Sequence, residues 1–61
     1  MNDISLHEQI VIAYNIYLKE TETLEKNGVK AAAPRARKAL QELNKLTTLR
    51  RKEIQDIKNE M

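Results

Sequence analysis

From Ile4 to Leu24 the apolar residues recur at helical spacing, with Leu6, Ile10, Ala13, Tyr17 and Leu24 in one row and Ile4, Val11, Tyr14 and Leu18 in its neighbour. The pattern predicts a first helix over about residues 4–26, with an apolar face wide enough to touch more than one neighbouring helix. Ser5-Leu6-His7-Glu8 fits the S-x-x-E capping box, and Asn2 and Asp3 are alternative caps for a slightly longer helix. Asn27-Gly28 follows the last periodic residue, as expected where a helix closes on a left-handed glycine. A second helix is predicted over about 30–60, on a heptad-like seam of Ala36, Leu40, Leu43, Thr47, Arg50, Ile54, Ile57 and Met61. Leu46 and Leu49 widen that seam on one side. Thr47 and Arg50 interrupt it, as a polar layer that fixes register or as a stem reaching the rim. Pro34 fits the first turn, where a missing N–H costs no intrahelical bond, which would put the start of the regular helix at Ala32 or Ala33; a kink is the alternative.

A turn of two or three residues, about 27–29, forces the helices antiparallel. The expectation is an all-α, coiled-coil-like helical hairpin forming one domain over residues 1–61. At 1.5 Å per residue the helices would be about 33 and 45 Å long, so the second overhangs the first. A chain of 61 residues with one such seam buries little, since ordering it costs on the order of 90 kcal/mol at about 1.5 kcal/mol per residue. Completion of the core as a dimeric or tetrameric bundle is therefore expected, with Ile10, Tyr14, Tyr17, Leu18, Leu40, Leu43, Ile54 and Ile57 at the interface.

Composition narrows the class. With 41% hydrophobic and 33% charged residues the chain is too apolar for a disordered tail and too charged for a membrane span. Gly28 and Pro34 are the only glycine and proline, which argues against a turn-rich sheet. There is no cysteine, hence no disulfide and no thiolate metal site. The start carries no basic region of a signal peptide, so a soluble, intracellular protein is expected. His7 is the only histidine and no nucleophile–base set or phosphate loop can be assembled, so neither an enzyme nor a cofactor is expected. Asp3 and His7, four apart, are two ligands on a first turn and make a poor metal site.

Charge is more informative. Residues 1–27 hold two Lys against five Asp or Glu, whereas residues 28–61 hold nine Lys or Arg against four. Glu20, Glu22 and Glu25 are placed to face Lys30, Arg35 or Arg37 across the turn. On the second helix Lys30, Arg37, Arg51 and Lys58 keep a spacing of seven or its multiple, and Lys38, Lys45 and Lys52 do so in an adjacent row. Both rows lie away from the seam and form a ridge suited to tracking a phosphate backbone. Glu42, Glu53 and Asp56 are expected to dilute it. On the outer face of a coiled coil such residues also serve as plain solvation. No Trp or Phe is present to stack on unpaired bases, and no short recognition helix appears for operator reading.

The stretch Asn27-Gly28-Val29-Lys30-Ala31-Ala32-Ala33-Pro34-Arg35-Ala36-Arg37-Lys38, continuing through Leu40, Leu43 and Arg51-Lys52-Glu53, resembles the N-terminal domain of bacterial histone H1-like proteins. That family includes the chlamydial nucleoid proteins. The likeness covers roughly residues 20–58, with Pro34 where the family more often has a polar or small residue. The long Lys/Ala/Pro-rich tail of the chlamydial members is missing, which points to a short, tail-less relative. The resemblance implies a cytoplasmic, nucleoid-associated protein that binds duplex DNA with little sequence preference, Lys30, Arg35, Arg37, Arg51 and Lys52 being the matching basic positions. With the ridge, the candidate DNA-binding set is Lys30, Arg35, Arg37, Lys38, Lys45, Arg51, Lys52 and Lys58. The rival reading is a structural coiled-coil oligomerisation or adaptor module, such as a phage or virion component, whose overhanging arm docks on a partner helix.

Overall fold

The computed structural model describes residues 4–61 as two helices, α1 (Leu6–Asn27) and α2 (Ala32–Glu60), packed on each other with no strand among the described residues. Local sequence accounts for both ends of α1. The Ser5 hydroxyl accepts the Glu8 backbone N–H at 3.1 Å, and the Glu8 carboxylate reaches back to the Ser5 N–H at 3.4 Å, closing the capping box. The helix therefore begins at Leu6 rather than near Ile4. Asn2 and Asp3, the alternative caps, lie outside the described residues. At the other end Gly28 takes φ 66 and ψ 26, and the Val29 N–H returns to the Thr23 carbonyl at 3.3 Å.

α2 starts two residues later than about Lys30. Ala31 offers no capping side chain, and the Ala32 and Ala33 N–H groups bond instead to the Val29 and Lys30 carbonyls at 3.0 and 3.1 Å. Pro34 is then the third helical residue, inside the turn whose N–H groups have no intrahelical acceptor, so it breaks nothing.

The two helices meet through small side chains. The buried residues are Ala13 of α1 and Ala32, Ala36, Ala39 and Leu46 of α2, with Ala32 fully covered. Leu6, Ile10, Tyr17 and Leu24 of α1 and Leu43 and Arg50 of α2 are half-buried around them. On α2 the seam runs Ala32, Ala36, Ala39, Leu43, Leu46, Arg50, in alternating steps of four and three. It shares Ala36, Leu43 and Arg50 with the seam expected from sequence. At the intervening positions, however, Ala39 and Leu46 are inside while Leu40 and Thr47 are exposed. Leu49, expected to widen the seam, is also exposed. Ile10, Tyr17 and Leu43 of the expected oligomer interface are partly engaged within the hairpin. Tyr14, Leu18, Leu40, Ile54 and Ile57 of that set are all exposed.

Polar contacts close the turn end. Glu20, its side chain only 14% exposed, accepts from the Arg35 guanidinium at 2.9 Å across the two helices. Glu22 pairs within its own helix, with Lys26 at 3.3 Å. Beyond Arg50 every residue of α2 is exposed. The last ten or so residues thus project past the start of α1, giving principal extents of 48 × 22 × 14 Å.

Two outcomes follow from this geometry. Gly28→Ala places a side chain at positive φ and should cost about 1 kcal/mol in urea unfolding, although open space surrounds the position; an unchanged midpoint would show that the turn relaxes out of the left-handed region. Ala36→Leu should lower stability by about 1–3 kcal/mol by forcing the helices apart, and a rise in melting temperature would refute the close alanine packing.

Candidate nucleic-acid interface

The hairpin has two flanks, one on each side of the alanine seam. A trough on one of them is lined by Gln9, Ile12, Ile16 and Glu20 of α1 and by Arg35, Lys38 and Glu42 of α2, over a floor of Ala13, Ala39 and Leu46. Arg35 belongs to this flank. Its guanidinium is held by Glu20 and it shares a row of sevenfold spacing with Glu42 and Asp56, next to the row of Lys38. Lys30, exposed, lies in the turn before α2.

The remaining basic candidates of α2 fall on its outward side. Arg37, Arg51 and Lys58 form one row, Lys38, Lys45 and Lys52 another, and all six are exposed. Between the rows runs an uncharged strip of Pro34, Gln41, Thr48 and Gln55. The spacing of seven places this strip as surely as the charged rows, but its uncharged residues carry no signal of their own. The acidic residues of α2 lie elsewhere, Glu42 and Asp56 on the trough flank and Glu53 and Glu60 in the row that continues Ala39 and Leu46. Of the acids expected to dilute the ridge, Glu42 and Asp56 therefore border the row of Lys38, Lys45 and Lys52 rather than interrupt the two rows.

Ion pairing reinforces this separation. Among the described residues the salt bridges are Lys26–Glu22, Arg35–Glu20 and Arg50–Glu53, and none involves the six outward cations. From Arg37 to Lys58 the face covers about 31 Å of helix at 1.5 Å per residue. No acid stands between the two rows, Glu42 and Asp56 bordering only the Lys38, Lys45 and Lys52 side, and exposed Lys and Arg ends can move to meet phosphates.

Other chemistry is thinly represented. Among the described residues no group of three His, Asp or Glu is placed to hold a metal ion, and His7 is exposed; Asp3, its proposed co-ligand, lies outside the described residues. No helix of the described residues is long and apolar enough to cross a membrane. Tyr14 and Tyr17 stack on each other at 6.4 Å between ring centroids, with Tyr14 exposed.

Comparison with known proteins places this hairpin in a family. No curated protein and no solved structure matches the chain. The family model described as Histone H1-like protein Hc1 matches residues 6–60, which takes in both helices and the turn between them. The chain belongs to the histone H1-like Hc1 family.

Proposed function

We propose that this protein is a nucleoid-associated, non-enzymatic DNA-binding protein of the cytoplasm that holds duplex DNA, largely independently of sequence, on the outward face of α2. The observation that carries the reading is the face itself, six exposed Lys and Arg side chains in two rows with no acid between them. Membership of a histone H1-like family supports DNA as the polyanion.

The mechanism is electrostatic. Duplex DNA carries one negative charge per about 1.7 Å of axis, and each phosphate neutralised by a Lys or Arg releases condensed counterions. A face about 31 Å long matches roughly nine base pairs. Gln41, Thr48 and Gln55 between the rows add neutral hydrogen-bonding groups that suit backbone and sugar contacts. Nothing on this face is arranged for bidentate reading of base edges from a groove, so affinity is expected to vary little with sequence.

Self-association belongs to the same reading. The chain exposes 5101 Å², about a quarter more than the roughly 4,100 Å² of a compact monomer of this mass. Its radius of gyration is 14.4 Å, against about 10.5 Å for a compact chain of this length. The excess surface is partly apolar, since Leu40, Ile54 and Ile57 are about half exposed. Those same residues favour the structural-module reading only if the basic face proves idle.

Titration into random-sequence duplex DNA, followed by anisotropy at several salt concentrations, tests the proposal. Six phosphate contacts give a log–log salt slope of about −5. Lys45→Ala should weaken binding to all sequences alike and reduce the slope by about 1, while Lys19→Ala on α1 should leave it unchanged. A slope that ignores Lys45 and Lys52 would move the contact off this face.

A further inference from the structure

We propose that two copies of the chain pair in parallel along the projecting end of α2, with Ile54 and Ile57 at the centre and Glu53 of each copy facing Lys58 of the other. This deepens the self-association in the proposed function and rests on it.

The surface available for pairing is set by the fold. The trough occupies one flank of the hairpin, so the opposite flank carries the row Leu40, Thr47, Ile54 and Met61 of α2 beside Tyr14 and Leu18 of α1. Past Arg50 there is no α1 left to cover α2, and Ile54 and Ile57 are 51% and 50% exposed. A single α-helix with such a stripe in water has its apolar face unburied, and a second helix laid along it is the simplest cover.

The charges bordering the stripe choose the occupant and its direction. Glu53 and Glu60 border one edge, Arg51 and Lys58 the other. In a parallel pair of identical helices the two edges face each other across the seam, and a residue just before a core position meets the residue five further along in its partner. Glu53, just before Ile54, then meets Lys58, just after Ile57, twice by symmetry. In an antiparallel pair each edge meets its own kind, setting Glu53 and Glu60 against the same acids and Arg51 and Lys58 against the same cations. Like charges so placed repel, and they would do so along the whole projecting segment. Arg50, at the top of the stripe, pairs with Glu53 of its own helix at 2.7 Å. Of the cations assigned to DNA, Lys58 is engaged in the pair and Arg51 borders it, whereas the row of Lys38, Lys45 and Lys52 points away from the paired flank and stays open in both copies.

Sedimentation equilibrium of the full chain, with helicity checked by circular dichroism, tests the pairing. The wild type should dimerise, Lys58→Glu should raise the dimer Kd about tenfold by turning two attractions into repulsions, and a mixture of Lys58→Glu with Glu53→Lys chains should form the heterodimer in preference to either homodimer. If Lys58→Glu dimerises as tightly as the wild type or more tightly, the parallel arrangement is wrong while self-association stands. A wild type that stays monomeric at several hundred micromolar would overturn both, and DNA binding would still be read separately in the salt titration.

Discussion

The close approach of α1 and α2 on alanine governs the rest of the molecule. Ala13 of α1 and Ala32, Ala36 and Ala39 of α2 are buried where the helices meet, and side chains of that size let helix axes come near the lower end of the usual range of about 8–10 Å. A seam so narrow excludes water well but removes little apolar area, because each methyl group contributes far less than a buried Leu or Ile. The large residues that could have filled a wider core, Val11, Ile12, Tyr14, Ile16, Leu18 and Leu40, stand outside it. The hairpin is therefore specific in its pairing and incomplete in its burial.

That incompleteness organises the surface. Because the seam takes one side of α2, the apolar row through Leu40 and Ile54 falls on one shoulder, the acids of Glu42 and Asp56 on the other, and the cations on the outward side. The three chemistries are kept apart by periodicity alone, since each recurs near the heptad spacing that keeps a residue type on one face of the helix. An apolar shoulder, a basic back and an acidic flank let a small protein associate with itself while the row of Lys38, Lys45 and Lys52 stays open to a polyanion. The ion pair between Glu20 and Arg35 fits the same division, tying the acidic end of α1 to the one arginine of α2's first turn and leaving the others to solvent.

Much of this was legible in the chain as written. The S-x-x-E start, the Asn-Gly stop, the tolerance of Pro34 in a first turn and the antiparallel hairpin are local or nearly local consequences of residue type, and short-range sterics and capping decide them. The rows of cations were legible too, since a spacing of seven places residues on one face whatever lies opposite. Less legible was the seam. A 4–3 pattern through Ala36, Leu43 and Arg50 can be completed by Leu40 and Thr47 or by Ala39 and Leu46, and hydrophobicity alone favours the larger leucine at the first of these positions.

Only the packing of α1 on α2 chose between them. Opposite Ala13 and Glu20 the seam takes in Ala39 and leaves Leu40 exposed. That choice sets which side of α2 faces α1, while the angle between its acids and its cations is fixed by their spacing in the sequence. The amino-acid sequence by itself determined two capped helices, their antiparallel return and the periodic rows of charge, all of which depend on contacts within a few residues. The tertiary structure decided which row is inside, and hence what each remaining row meets, because that depends on how near two helix backbones can come.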